Sequence, residues 1–164
     1  MKEIMRIAVL VAVIAACAVL SVVALADTVP APIYMSNSTL GGGMLNEYTL
    51  GVEGGAGANN IGLLIRTYGK VTYVDMTNQY FYIDDGAGRW DGTERLDHSP
   101  VLGVRVSYGG LASGVPAITP PTVDDKVVVT GIISTCLVPP ETPPTGLVRP
   151  NVRARSQDDI VSLP

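Results

Sequence analysis

Alternation between apolar and polar positions is the clearest signal in this chain, and it predicts β-strands. The longest run, 61–75, is rich in β-branched and aromatic residues, and a short polar segment separates it from a second run. In the second run Phe81 and Ile83 fall on one face and Tyr80 and Tyr82 on the other, because side chains alternate along a strand. We therefore expect a hairpin whose aliphatic and phenyl side chains point inward and whose tyrosines point outward.

Three later runs complete a set of five predicted strands. Residues 103–108 alternate strictly, 126–133 are apolar on both faces, and 147–153 contain a proline that is typical of an edge strand. Because the 126–133 run is apolar on both faces, we expect its outer face to be covered. A glycine in the interior of the first strand, Gly69, predicts a bulge or tight bend. Together these features predict an all-β fold, a small closed barrel.

The remaining segments carry little periodicity. The glycine-rich segment 27–60 predicts an irregular arm laid over the barrel, with at most one short strand. Residues 89–100 form a polar stretch that we interpret as a loop, and the proline-rich segment 139–144 predicts a stiff loop. Residues 156–160 begin with a capping serine and predict one helical turn. The barrel is thus expected to occupy 61–164.

The first residues predict that the protein is located outside the cytoplasm. A weakly basic start is followed by an almost wholly apolar run, 7–26, that ends in the small-x-small pattern of a secretory cleavage site. We interpret 1–26 as a signal peptide and expect a secreted, periplasmic or cell-surface protein. Two alternatives stay open: an uncleaved leader that anchors the chain in the membrane, and a lipid attached to Cys17 in a lipobox-like context.

Composition narrows the function classes. The chain of 164 residues has 11 basic and 15 acidic residues, and loss of the leader leaves 9 basic and 14 acidic residues. Nucleic-acid binding is therefore disfavoured, because it depends on clustered cations that neutralise phosphates. About 138 mature residues suffice for one domain. Cys136 is then the only thiol, so the domain has no intrachain disulfide, and we expect this side chain to be buried as a small apolar group.

Several stretches together resemble the OB-fold. They are 59–86 with its Lys-Val-Thr and Tyr-Phe-Tyr-Ile-Asp-Asp-Gly core, 123–131, and 153–160, and the likeness extends roughly from Pro32 to the C-terminus. More narrowly, the chain resembles a group of secreted bacterial OB-type domains that occur alone or appended to larger extracytoplasmic proteins. The resemblance implies a five-stranded Greek-key barrel, and it implies no reaction and no catalytic residues.

The candidate binding face lies on the second and third predicted strands. OB barrels bind oligonucleotides or oligosaccharides across these strands and the adjoining loops. Alternation places Tyr80, Tyr82, Arg105 and Ser107 on this face, with Trp90 at its rim. Two tyrosines and an arginine form a platform on which a sugar ring or base can stack. The alternative is that they are cross-strand partners that stabilise a solvated face.

No metal, cofactor or catalytic residue is predicted. Asp84, Asp85 and Asp91 lie among glycines but do not match the spacing of an EF-hand loop, so turn-forming aspartates are favoured, while calcium binding stays open. The single histidine, His98, lies between an aspartate and a serine, and side chains of adjacent residues diverge too far to form a triad.

These observations favour an exported, non-enzymatic OB-type binding or adhesion module, with polysaccharide or another extracellular polymer as its ligand. One alternative is a structural or interaction domain of an envelope assembly that binds no soluble ligand. Another is an oligonucleotide-binding OB domain. Whether the face of Tyr80 and Tyr82 is free or covered by the 27–60 arm distinguishes the first two. Contact with a membrane is expected only through an uncleaved leader or a lipidated Cys17.

Overall fold

The computed structural model describes residues 30–49, 51–137 and 148–164, and it shows an all-β protein. Residues 31–164 form one compact unit. Within the described residues no helix has the length and apolar character needed to cross a membrane. The predicted signal peptide, its cleavage site and the predicted loop at 139–144 lie outside the described residues.

Nine strands and two short 3₁₀ turns make up the described secondary structure. The strands are β1 (Ile33–Tyr34), β2 (Leu64–Asp75), β3 (Tyr80–Asp84), β4 (Trp90–Glu94), β5 (Pro100–Leu102), β6 (Val104–Ser107), β7 (Lys126–Cys136), β8 (Arg149–Arg153) and β9 (Ile160–Leu163). The 3₁₀ turns are Asn37–Thr39 and Gln157–Asp159. Each of the five predicted strands is confirmed as β2, β3, β6, β7 or β8, and the predicted turn before β9 is also present.

The hydrogen-bonded neighbours of the five predicted strands follow one another in a cycle. Strand β2 pairs antiparallel with β3, and β3 pairs antiparallel with β6. Strand β8 lies parallel to β6 and antiparallel to β7, and β7 returns to pair antiparallel with β2. The short strands β1 and β9 extend this sheet beside β2 and β7, while β4 and β5 form a separate two-stranded hairpin.

The apolar core lies on the inward face that alternation predicts. Phe81 and Ile83 of β3 are fully buried, as are Val106 of β6, Val129 of β7 and Val152 of β8, and all belong to one hydrophobic cluster. Burial of each large aliphatic or phenyl side chain contributes about 1.5–3 kcal/mol of transfer free energy. The inward orientation of Phe81 and Ile83 is thus confirmed.

The glycine-rich arm enters the core rather than lying only over it. Leu40 is fully buried in the hydrophobic cluster. The Asn37 side chain, also buried, donates to the carbonyl of Ile83 at 2.9 Å and accepts from the Thr67 hydroxyl at 2.8 Å. Arg89 donates to the carbonyls of Asn37 and Leu40, at 3.2 and 3.0 Å. The polar groups that are buried around Leu40 are therefore hydrogen-bonded, as burial requires.

Two expectations about local structure are wrong. Residues 89–100, interpreted as a loop, contain most of the β4–β5 hairpin. Gly69 lies in regular register opposite Val127, and the irregularity of the β2–β3 ladder falls between Val71 and Tyr73 instead. Glycine is required at position 69 for a steric reason instead, because a Cβ atom there would lie 2.8 Å from the backbone of Asp84.

Gly69→Ala is expected to lower the free energy of unfolding by about 1–3 kcal/mol, because the added methyl group pushes β3 away from β2. Urea denaturation measures the change. Gly43→Ala is the matched control, since its Cβ would come no closer than 3.4 Å to any neighbouring atom. Equal stability of the two variants would contradict this account of Gly69.

Candidate functional site

Three tyrosine rings meet on the outer face of β2 and β3. Tyr73 lies opposite Tyr82 in the ladder, and the ring centroids of Tyr73, Tyr80 and Tyr82 are 5.9–6.5 Å apart. The irregularity after Val71 places Tyr73 on this face, because an extra residue shifts the inward–outward alternation by one position. Tilted and edge-on arrangements of this kind are the ones that aromatic pairs prefer.

Arg105 completes the cluster from β6. Its guanidinium carbon lies 3.8 Å from the centroid of the Tyr80 ring, which is a close cation–π contact. Its buried Nε makes no hydrogen bond within the described part of the chain. The ring of Tyr80 and a hydrogen bond with the Cys136 side chain therefore hold the guanidinium in place, and no carboxylate of the described residues forms an ion pair with it.

Tyr82 does not face solvent, so the expectation that it forms part of an open platform is wrong. Its side chain is fully buried, although it lies on the face opposite the core. The β4–β5 hairpin covers it, and its hydroxyl donates to Asp91 at 2.6 Å and lies 2.8 Å from the Thr93 hydroxyl. A side chain that points outward from a sheet is exposed only where no other element packs on that sheet. Because the sequence predicts a loop at 89–100, it does not predict the hairpin that covers Tyr82.

The other predicted residues lie in two different settings. Trp90 belongs to the covering hairpin, is 54% exposed, and donates its indole N–H to the Thr93 carbonyl at 2.9 Å. The Ser107 hydroxyl donates to Asn151 at 2.7 Å, and the Asn151 amide donates in turn to Ser134 at 2.8 Å. The structure therefore brings Tyr80 and Arg105 into direct contact, leaves Trp90 exposed, and engages Ser107 in a link between strands.

Sequence reasoning missed Tyr73 and Asp91 as members of this cluster. Tyr73 was missed because a strict alternation along β2 places it inward. Asp91 is 4% exposed. One of its carboxylate oxygens accepts a hydrogen bond from the Tyr82 hydroxyl, and the other accepts one from the Thr93 backbone N–H at 2.9 Å. The sequence contains one weak signal for the burial of Asp91. It lies in the short run 90–93, in which Trp90 and Thr93 are typical strand residues but Gly92 interrupts the pattern.

Burial and neighbouring charges change the acidity of this cluster. Burial, followed by the hydrogen bond and charge of Asp75, raises the pKa of Tyr80 to about 12. Burial and the Asp91 carboxylate raise the pKa of Tyr82 further. Burial also raises the pKa of the nearby Cys136 thiol despite the opposing charge of Arg105. Each of the three groups is therefore held in its protonated form, and none is an activated nucleophile.

Neither a metal-ligand group nor a triad at His98 is found among the described residues. They contain no group of three or more histidine, cysteine or acidic side chains able to hold a metal ion. The ring of His98 lies 3.2 Å from Glu94, while the Ser99 hydroxyl donates directly to Asp97 at 2.6 Å. The histidine thus does not lie between serine and aspartate, as a triad requires.

Comparison of the chain with protein-family models, with curated proteins and with solved structures finds no match. The resemblance to OB-type domains therefore stays a prediction.

Tyr82→Phe is expected to lower the free energy of unfolding by about 1–3 kcal/mol, because it leaves a buried carboxylate oxygen of Asp91 without its donor. Chemical denaturation at neutral pH measures the loss. Tyr48→Phe is the control, since Tyr48 is 88% exposed, and this change should have almost no effect. A neutral result for Tyr82→Phe would show that the hydroxyl does not support Asp91.

Stability is expected to fall between about pH 10 and pH 12. Below the unfolded-state pKa of tyrosine, about 10, the contribution of Tyr80 is fully present. Above this pKa the unfolded chain loses the tyrosine proton, while the folded chain retains it up to about pH 12. Ionisation therefore stabilises the unfolded state relative to the folded one. Tyr82 acts in the same direction.

Unfolding free energies measured at about pH 9 and about pH 11 test this dependence. Tyr80→Phe should flatten the alkaline decline relative to the unmodified chain. An identical decline in the variant would show that Tyr80 ionises as freely in the folded state as in the unfolded one.

Proposed function

We propose that residues 61–164 form an OB-type β-barrel that serves as an exported, non-catalytic binding module for a polysaccharide. The cycle of pairings from β2 through β3, β6, β8 and β7 back to β2 supports the barrel, since only a closed sheet returns to its first strand. Strands β7, β2, β3 and β6 lie side by side in that order, which is the Greek-key order. Export rests on the interpretation of 1–26 as a signal peptide.

The close contact between Arg105 and Tyr80 is the observation that carries the binding proposal. It lies on the outer face of β3 and β6, the strands on which OB barrels take their ligands. Because the ring and the guanidinium are already packed on each other, a ligand that contacts them costs little additional side-chain entropy. Tyr73 extends the surface on one side, and the hairpin carries the exposed indole of Trp90.

Polysaccharide fits this surface better than nucleic acid does. Aromatic side chains with polar tips suit sugar rings, which present both C–H faces and hydroxyl groups. A nucleic-acid strand requires several cations that follow its phosphates, and the cluster supplies one guanidinium, Arg105, in a chain of net charge −4.

The covered part of the face favours a second candidate function. Tyr82 lies beneath the β4–β5 hairpin and Ser107 is bonded to Asn151, so two of the five predicted site residues stabilise the protein itself. These contacts suit a structural or interaction domain of an envelope assembly that binds no soluble ligand. The hairpin, rather than the 27–60 arm, is the element that supplies this cover.

Binding of the full chain to a panel of glycans and single-stranded oligonucleotides tests the proposal. Trp90→Ala and Arg105→Ala are each expected to weaken binding to a glycan about tenfold, as truncation of an aromatic or arginine anchor does. Tyr48→Ala, which removes an exposed tyrosine from the arm, is the matched control and should bind normally.

Thermal unfolding of each variant distinguishes lost contacts from a lost fold. Glycan binding that neither Trp90→Ala nor Arg105→Ala reduces would refute this site. An absence of binding throughout the panel would favour the structural or interaction domain instead.

A further inference from the structure

A second exposed face of the sheet, on β1, β2, β7 and β9, is rich in cations and aromatic rings. We call it the cationic face and define it by Tyr34, Arg66, Tyr68, Lys70, Lys126 and Val161. The expectation that the outer side of β7 is covered is met only in part along this face: Val128 and Thr130 are half-buried, whereas Ile132 is 38% exposed. It shares no residue with the cluster of Tyr80 and Arg105.

Arg66 lies at the centre of one row of this face. Its Nε donates to the Thr130 hydroxyl at 3.0 Å and its Nη1 to the Tyr34 hydroxyl at 3.1 Å, with the guanidinium 5.7 Å from the Tyr34 ring centroid. All of these partners are neutral, and within the described residues Arg66 has no carboxylate partner. The guanidinium is therefore well oriented, but its charge is not balanced.

Two lysines lie directly opposite each other at the other end of the face. Lys70 of β2 and Lys126 of β7 are partners in the ladder, and like charges in that position repel. Lys70 has an exposed ion pair with Asp124 at 2.9 Å. Lys126 has no carboxylate partner in the part of the chain that the structure describes. An anion placed beside Lys126 would remove this repulsion.

An apolar row separates the two cationic rows. Tyr68, 58% exposed, pairs with Val128, which in turn pairs with Val161. Tyr68, Lys70 and Lys126 are among the residues that line a groove of about 310 Å³ beside this row. Asp84 and Asp85 also line the groove, and their carboxylates accept backbone N–H groups of their own turn and of the arm. The groove thus offers a ring-sized apolar surface beside a cation.

The spacing of the cations indicates which anionic polymer fits. Arg66 and Lys70 are four residues apart in an extended strand, which places the two cationic rows about 13 Å apart. In a nucleic-acid duplex the bases are stacked on each other between the two phosphate backbones, so no base is free to stack on Tyr68 between the two rows. A polysaccharide with carboxylates on separate sugar rings can place one charge at each row and a ring on Tyr68 between them.

We propose that the cationic face binds an acidic polysaccharide, with carboxylates at Arg66 and Lys126 and a sugar ring stacked on Tyr68. This is a second binding surface, and it does not depend on the function proposed for the surface of Tyr80, Arg105 and Trp90.

Polygalacturonate is a suitable probe, because its methyl ester has the same backbone without the charges. The full chain is expected to bind polygalacturonate, to bind the methyl ester at least about tenfold more weakly, and to lose affinity as salt concentration rises. The double variant Arg66→Gln/Lys126→Gln should lower the affinity for polygalacturonate about tenfold, since each exposed contact between opposite charges contributes modestly. Tyr68→Ala should lower it as well.

Arg153→Gln is the matched charge control, since Arg153 donates to the carbonyls of Gly109 and Gly110 and lies outside the cationic face. Equal binding to polygalacturonate and its ester, or unchanged affinity in the double variant, would overturn the proposal. So would tighter binding to a thymidylate oligonucleotide than to polygalacturonate. A loss caused by Trp90→Ala but not by the double variant would refute the cationic face and support the other surface.

Discussion

The fold depends on the way in which β2 is shared between its neighbours. Residues from Leu64 to Lys70 pair with β7, and residues from Lys70 onward pair with β3, so one strand joins the two ends of the pairing cycle. The end of β3 approaches β2 so closely at this exchange that only glycine fits at position 69. The absence of a Cβ atom at position 69 is thus the steric condition under which β2 pairs with both β3 and β7, and the core and both outer surfaces depend on that pairing.

The outer side of the sheet shows how polar groups are used where the core cannot supply stability. Tyr82 and Asp91 are both buried outside the core, beneath a hairpin of only two short strands. A short hairpin has little stability of its own, so the buried hydrogen bond between these residues fastens it to the sheet. The arm uses the same means, because Asn37 and Arg89 satisfy buried carbonyl groups around Leu40.

Alternation along the chain is sufficient to predict strands β2, β3, β6, β7 and β8 and the inward side chains of Phe81 and Val106, because burial on one face produces that pattern directly. It could not predict the β4–β5 hairpin, whose polar residues and Gly92 do not look like a strand. Burial of Tyr82 followed from that hairpin and was missed with it. The shift that turns Tyr73 outward depends on a ladder between two strands, and a single run of residues contains no information about it.

Cys136, at the end of β7, has a consequence for the oxidative chemistry of the protein. Disulfide exchange and peroxide oxidation both require the thiolate, and burial raises the pKa of this sulfur. At a given pH the half-buried thiol of Cys136 therefore has a smaller thiolate fraction than a freely exposed cysteine, and its exchange with glutathione or with a second molecule is slower to that extent.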